Sequence, residues 1–208
     1  MQKIINTITV LAAFAFVAGC SGSGGEKPKE VSQLEQNQAA KHFNDSNMEI
    51  FLRNYAAAEK SLTMATKLNP NVIDYWTKLA DVQILLSNYA AAEKTFVTLT
   101  KLNSKIDDYW VRLGEMRFRL GNKSGATEAY KGALASCEAQ LKLTPENPGY
   151  IDRKLRALIL LGREKEARDV LAQAAKEFPG NATIQQLHRL SAVDLFLNNP
   201  QVRDFIVK

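Results

Sequence analysis

Apolar and polar positions along residues 74–102 follow the period of an α-helix. In residues 74–86, apolar side chains recur at positions 75, 76, 79, 82 and 86. In residues 89–102, alanine and larger apolar side chains recur at positions 89, 92, 96, 99 and 102. Steps of three and four residues place such side chains on one face of a helix. Ser87 and Asn88 separate the two stripes, so the pattern predicts two amphipathic helices joined by a short turn.

This predicted helix pair recurs along the chain at a constant interval. The segment NYAAAEK occupies residues 54–60 and again residues 88–94, 34 residues later. TKLN at residues 66–69 returns in the same register, and so does the DYW that begins at Asp74. A fixed period of this length is the sequence mark of a solenoid, in which stacked units bury a shared core.

The repeated residues resemble the tetratricopeptide repeat (TPR), a 34-residue helix–turn–helix unit with Trp, Leu, Gly, Tyr, Ala, Phe, Ala and Pro at fixed offsets. The matching residues are Ala58, Leu62, Ala65 and Pro70; Trp76, Leu79, Ala80, Ala92, Phe96 and Leu99; Trp110, Leu113, Gly114, Ala126, Tyr130 and Ala133; and Gly162, Ala167, Leu171, Ala174 and Pro179. His42, Gln83, Ser104 and Ile151 depart from the pattern. The resemblance implies an all-α fold, a right-handed TPR α-solenoid of about four helix pairs plus a C-terminal capping helix.

These patterns divide the chain into seven segments. They are a lipoprotein signal peptide (1–19), a lipidated cysteine with a flexible tether (20–38), TPR 1 (39–72), TPR 2 (73–106), TPR 3 with a seven-residue extension (107–147), TPR 4 (148–181), and a capping helix with a tail (182–208).

The third repeat is longer than the others by seven residues, which is two helical turns. Such an insertion keeps the buried stripe of a helix in register, and we therefore expect one long helix over residues 124–143 that projects beyond its neighbours. Its extra turns either pack on the next loop of the chain or offer a docking site. Beyond residue 181, apolar positions predict one capping helix over residues 182–197, which ends before Pro200. The tail after it is a short cap element or a free partner-binding segment.

The first twenty residues resemble a bacterial lipoprotein signal. Lys3 is the only charge, residues 4–18 are rich in apolar side chains, and Val17-Ala18-Gly19-Cys20 resembles the lipobox. The resemblance implies cleavage before Cys20, lipid attachment to its sulfur and acylation of the new amino terminus. Ser21, where Asp would favour the inner membrane, points to the outer membrane. An ordinary signal peptide with a chance cysteine is the alternative. If Cys20 carries lipid, Cys137 has no disulfide partner, and a lone thiol is usually buried and inert.

The TPR resemblance also implies where a partner would bind, because the first helices of TPR pairs line a concave groove. The groove positions carried over to this chain are Phe43, Asn47, Ile50 and Phe51; Asp74, Thr77, Asp81, Ile84 and Leu85; Asp108, Val111, Glu115, Phe118 and Arg119; and Asp152, Arg156, Ile159 and Leu160. All but Asp74, Leu85, Asp108, Ile159 and Leu160 are taken as candidate partner contacts. Part of the apolar set could instead pack between helices. Phe43 and Thr77 stand where a carboxylate-clamp TPR needs Lys or Asn, so that type of site is not expected.

Other function classes find little support in the sequence. The charge of +5 comes from 27 basic and 22 acidic residues. These are interspersed, so the sequence has no block of basic residues of the kind that forms a nucleic-acid-binding arm. His42 and His188 lie far apart, outside metal-ligand spacing, and no catalytic or phosphate-loop motif occurs. We expect no enzyme, no cofactor, no metal and no small-molecule substrate.

The expected function is that of a membrane-anchored periplasmic scaffold that binds other envelope proteins or peptides. The combination of lipobox and TPR is similar to lipoproteins of pilus or secretion assembly, which is an analogy between families. An adaptor or regulator of peptidoglycan enzymes or proteases is the alternative. The expected location is the bacterial outer membrane, facing the periplasm.

Overall fold

The computed structural model describes residues 29–207, which fold into eleven α-helices. In chain order these are α1 (Gln33–Phe51), α2 (Tyr55–Leu68), α3 (Ile73–Leu85), α4 (Tyr89–Leu102), α5 (Asp107–Arg119), α6 (Lys123–Leu141), α7 (Pro148–Leu160), α8 (Glu164–Glu177), α9 (Ala182–Arg189), α10 (Ala192–Asn198) and α11 (Pro200–Arg203).

The first eight helices form four helical hairpins that stack in chain order. Helices α1 and α2, α3 and α4, α5 and α6, and α7 and α8 are the pairs, and each pair also contacts the next one. Helices α9 to α11 then pack on α7 and α8. The predicted all-α solenoid of about four helix pairs with a C-terminal cap is confirmed.

A residue with positive φ makes the turn inside every pair. The four residues are Arg53, Ser87, Gly121 and Gly162, with φ of 59°, 57°, 79° and 69°. In the first three pairs, an asparagine follows and its side-chain oxygen accepts a hydrogen bond from the N–H three residues on, at Ala57, Ala91 and Gly125. This N-cap satisfies one of the unpaired donors at the start of the second helix. The short polar segment that separates the stripes in the sequence is therefore a defined turn with a fixed exit angle.

Small and aromatic residues at the repeat positions hold the pairs together. Ala80 and Gly114 occupy the same place in α3 and α5, and both are buried. Gly114 lies directly against the ring of the fully buried Tyr130. The indole N–H groups of Trp76 and Trp110 donate to the carbonyls of Pro70 and Ser104, at 2.8 and 3.0 Å. Each indole thereby fastens its helix to the loop that precedes it.

Helix α6 has 19 residues, against 14 in α2 and α4. Its extra turns lie beside the fourth pair, because Glu138 forms an ion pair with Lys154 of α7 at 3.0 Å. Leu141 packs against the core cluster that α7 and α8 share. The helix ends before the expected residue 143, and Leu143 is 77% exposed. The extension expected from the sequence is present, and much of it packs on the next helix pair.

Two boundaries differ from those inferred from the sequence. Helix α1 begins at Gln33, so the predicted tether over residues 20–38 is too long at its end; Ser32 and Glu35 form a capping box that starts the helix earlier. The single capping helix expected over residues 182–197 is instead two helices. Ser191 has φ of 49°, which breaks the helix there, and Leu190, expected on the buried stripe, is 56% exposed.

Within residues 29–207, no helix is both long and apolar enough to cross a membrane. The predictions for the signal peptide and for Cys20 lie outside the residues that the structure describes.

Candidate functional site

A recess of about 950 Å³ lies between α5, α7 and the C-terminal segment. Helix α5 supplies five of its eleven lining residues, and four more come from α11 and from Asp204 and Phe205, which follow α11. The lining residues are Tyr89, Asp108, Arg112, Glu115, Phe118, Arg119, Arg156, Pro200, Gln201, Asp204 and Phe205. The recess thus combines the first helices of the third and fourth pairs with the end of the chain.

Alternating charges cover the floor of the recess. Arg112 donates from Nε to Asp108 at 2.9 Å and lies 3.7 Å from Asp81 of the preceding pair. Arg156 donates to Glu115 at 3.1 Å and lies 4.0 Å from Asp108. The network therefore ties α3, α5 and α7 together along one face of the stack.

Burial perturbs the carboxyl groups of this network. Desolvation raises the pKa of Glu115, although the nearby Arg156 and Arg112 act in the opposite direction. Desolvation likewise raises the pKa of Asp81 and of Asp152. The Nε atom of Arg156 is buried and makes no hydrogen bond within the described part of the chain. The recess accordingly holds an N–H donor without a hydrogen-bond partner, beside carboxylates that burial has partly desolvated.

One end of the recess is aromatic. The rings of Phe118 and Phe205 meet edge to face, with centroids 5.8 Å apart. The guanidinium of Arg119 lies 4.8 Å from the centroid of Phe205 and 4.9 Å from that of Tyr89. An arginine between two ring faces is a cation–π arrangement, which holds flat side chains in a fixed orientation. This end is suited to an apolar or aromatic group and the other end to polar groups.

Four of the predicted contact residues line the recess together: Glu115, Phe118, Arg119 and Arg156. Asp81 lies beside it and joins it through Arg112. Asp152 is half-buried on α7 and is not part of the lining.

The structure does not bring the remaining predicted residues to this recess. Val111 is only 2% exposed and packs in the core between α5 and α7, which corrects its assignment to the groove. The hydroxyl of Thr77 donates to the carbonyl of Ile73 and lies 3.4 Å from that of Tyr109. Ile84 packs against the cluster around Phe96.

The predicted residues of the first pair lie far along the stack from the recess. Phe43 packs on the ring of Tyr75, with centroids 4.8 Å apart, and Ile50 packs on the same part of the core. Asn47 is exposed, and Phe51 is 81% exposed at the end of α1. These four residues lie along one face of α1, and that face does not line the recess.

Sequence reasoning missed Arg112, Tyr89 and the C-terminal residues Gln201 and Asp204. Arg112 does carry a signal, because it follows Asp108 by four residues, the spacing of an ion pair on a helix. Residues 200–205 carry no such signal, since only the path of the chain brings them back to α5.

Comparison with known proteins agrees with this architecture. The tetratricopeptide repeat family model matches residues 77–140, which run from α3 to α6. No curated protein sequence matches the chain.

Several solved structures are similar to this chain at low identity. MamA is 14% identical, with a TM-score of 0.49, over 81% of this chain and 93% of that one. A T3SS complex from Aeromonas hydrophila is 15% identical, with a TM-score of 0.49, over 64% and 84% of the two chains. YrrB, described as a TPR protein with an unusual peptide-binding site, is 16% identical, with a TM-score of 0.47, over 83% and 89%.

The repeat period, the paired helices and the family match agree that residues 77–140 form tetratricopeptide repeats.

Proposed function

We propose that this chain is an interaction scaffold that binds a segment of a partner protein in the recess between α5, α7 and the C-terminal segment. A lipid on Cys20 holds the scaffold at the outer membrane of a bacterium, on the periplasmic side. The partner is another protein of the cell envelope, and the complex serves the assembly of an envelope structure of the pilus or secretion type.

The recess is the observation that carries the binding proposal. Solenoid repeats use extended inner surfaces for binding, and TPR scaffolds are typically non-catalytic. The recess offers three acidic side chains, Asp108, Glu115 and Asp204, and the three basic side chains of Arg112, Arg119 and Arg156. An aromatic end lies beside these charges. A partner segment with mixed polar and apolar side chains fits such a surface.

The N-terminal residues support the anchoring proposal. An apolar stretch over residues 4–18 is short for a membrane span, which takes roughly 20 residues, and Cys20 follows it after a single glycine. A single acyl chain binds a membrane only marginally, whereas several chains anchor a protein stably. Residues 21–32 would give the folded repeats distance from the lipid.

A photoreactive residue at Gln201, exposed at the rim of the recess, tests the binding site in intact cells. We expect a partner to crosslink at this position and not at Leu143, which is exposed on the loop after α6. Arg112→Gln, which breaks the charge network, lowers the crosslink yield. The matched control Lys60→Gln removes an exposed charge on α2 and leaves the yield unchanged.

Crosslinks at Leu143 with none at Gln201 would overturn the recess as the partner site and favour the extended helix α6. Mass spectrometry of the crosslinked partner also identifies the envelope system. A pilus or secretion subunit agrees with the proposal, whereas a peptidoglycan enzyme or a protease favours the adaptor role.

Detergent partition tests the anchor independently of the recess. The chain made in a bacterium enters the detergent-rich phase of Triton X-114, and Cys20→Ser moves it to the aqueous phase. Mass spectrometry of the N-terminal peptide then finds three acyl chains on Cys20. A free thiol at that position would refute the anchoring proposal and leave the recess proposal standing.

A further inference from the structure

The last described residues of the chain, 204–207, occupy the aromatic end of the recess. We call them the tail segment. Phe205 lies in the edge-to-face contact with Phe118 and under the guanidinium of Arg119. In the third helix pair, the tail segment therefore contacts Phe118 and Arg119, two groove positions that the TPR resemblance assigns to a partner.

The tail segment also uses a backbone acceptor that the helix pairs leave free. The N–H of Val207 donates to the carbonyl of Leu160 at 2.9 Å. Leu160 is the last residue of α7, and the three carbonyls before it accept from Leu161, Gly162 and Arg163 within the turn. Its own carbonyl has no partner inside the hairpin, as is usual at a helix C-terminus.

An equivalent carbonyl, without a hydrogen-bond partner in its own hairpin, lies at the end of α1, α3 and α5. Around Leu85, for example, the turn N–H groups of residues 86–88 donate to Val82, Ile84 and Gln83, which leaves the Leu85 carbonyl without a backbone donor within residues 29–207. Phe51 and Arg119 stand in the same position. Only at Leu160 does a backbone N–H from elsewhere in the described chain reach this acceptor.

Gly162 makes room for this contact. A Cβ at Gly162 would lie 2.9 Å from the carbonyl oxygen of Val207. Gly162 also has a φ of +69°, which favours glycine on its own account. The close approach of the tail segment to the turn thus depends on the absence of a side chain.

We infer that this site recognises an aromatic side chain followed, two residues later, by a backbone N–H, and that a partner segment of this chemistry displaces Phe205-Ile206-Val207. This inference rests on the proposed function, since it names the partner chemistry of the same recess. The aromatic ring enters between Phe118 and Arg119, and the N–H two residues on bonds to Leu160. Aliphatic side chains follow the ring, as Ile206 and Val207 do.

The tail segment packs at the edge of the core, but few backbone hydrogen bonds oppose its displacement. Phe205, Ile206 and Val207 are each only partly buried, and the N–H groups of Phe205 and Ile206 bond locally, to Val202 and Arg203. The Val207 bond is the one backbone hydrogen bond from this segment to the helix pairs within the described chain. Val202 is almost fully buried in the core and keeps α11 in place when the tail segment leaves.

A labelled synthetic peptide with the sequence of residues 201–207, QVRDFIV, serves as the probe, and fluorescence anisotropy measures its binding to the purified chain. Phe205→Ala weakens the resident segment, and we expect this variant to bind the peptide about tenfold more tightly than the unchanged chain, because the competent state is then more populated. A second peptide with Ala in place of Phe should show no comparable binding to the same variant.

Three further variants make the result specific. Val207→Pro removes the N–H donor without touching the ring contact, and it should also tighten binding of QVRDFIV. The double variant Phe205→Ala with Arg119→Ala should lose that gain, because the ring has no guanidinium to pack against. Leu195→Ala changes an exposed side chain of the cap, 59% exposed and not part of the recess, and should leave the affinity unchanged.

The inference is overturned if Phe205→Ala and Val207→Pro, with unchanged helical circular dichroism, bind the peptide no more tightly than the unchanged chain. It is also overturned if both peptides bind equally well. Crosslinking of a cellular partner at Gln201 would still support the proposed function in either case. Loss of that crosslinking would count against the recess itself.

Discussion

Gly114 in α5 offers the sharpest test of how the third pair is packed. A Cβ at this position would lie 2.2 Å from Cε1 and 2.5 Å from Cδ1 of Tyr130, whereas ordinary van der Waals contact begins at 3.4 Å. Tyr130 is fully buried in α6, so its ring has no free space into which it could move. Gly114→Ala therefore forces the two helices apart or the ring out of its rotamer.

Two opposing effects set the size of the change. Alanine favours the helical state over glycine by about 1 kcal/mol. Overpacking of a filled core costs about 1–3 kcal/mol, and the very short distances here place Gly114→Ala near the upper end. The free energy of unfolding should accordingly fall by about 1–2 kcal/mol. For a chain of this size, the melting temperature falls by about 2–8 °C.

Urea unfolding followed by circular dichroism measures the effect, and Gly180→Ala is the matched control. A Cβ at Gly180 meets no atom within 4 Å, so that variant should be close to neutral. In a Tyr130→Leu background the obstructing ring is absent, and Gly114→Ala should become neutral or stabilising. The packing argument fails if Gly114→Ala is as stable as the original chain, or if its effect is the same in both backgrounds.

Further predictions concern the recess, the lone thiol and the turns. Because burial raises the pKa of folded Glu115 above its ordinary value of 4.5, the stability that this group contributes is present below about pH 4.5 and is lost as the pH rises through the folded pKa. The difference in unfolding free energy between the original chain and Glu115→Gln, measured by urea titration, should therefore decline as the pH rises from about 4.5 towards about 7. A difference that does not change with pH would contradict the raised pKa of Glu115. Burial raises the pKa of Cys137 to about 12, and we expect iodoacetamide to modify this residue at least about a hundredfold more slowly in the native chain than in urea, as followed by peptide mass spectrometry; equal rates would show that the thiol is accessible. Ser87 has φ of 57°, so Ser87→Gly should raise the unfolding free energy by about 1 kcal/mol, and thermal melting that shows a loss would contradict the strain argument.

The helix pairs and their turns were predictable because their causes are local. The period of 34 residues fixes the stacking, and the asparagine in each of the first three turns caps the following helix a few residues away. The length of α6 followed from the same logic, since two added turns keep its buried stripe in register. Such features depend on neighbours within a few residues, which a sequence shows directly.

The recess was predictable only in part, because four of its eleven lining residues come from the C-terminal segment, which is distant from α5 in the sequence. Phe205 and Phe118 are far apart in the chain, and no periodic pattern links them. Val111 shows a second limit, since a position that faces the groove in one TPR array packs between α5 and α7 here. The break at Ser191 was missed for a third reason, because apolar positions continue on both sides of a residue with positive φ.

The C-terminal helices contact the fourth pair, and the tail segment reaches back to α5. The last two pairs and the cap are thus one finished unit, closed on its outer side. On the other side, α5 meets the preceding pair through Tyr89, which lies against Arg119, and Glu93, which pairs with Arg117. A duplicate of residues 73–106 inserted before α5 would carry both of these side chains again. A repeat added between the first pair and this unit would therefore meet α5 through the same two contacts, and the array would lengthen without a change in this unit.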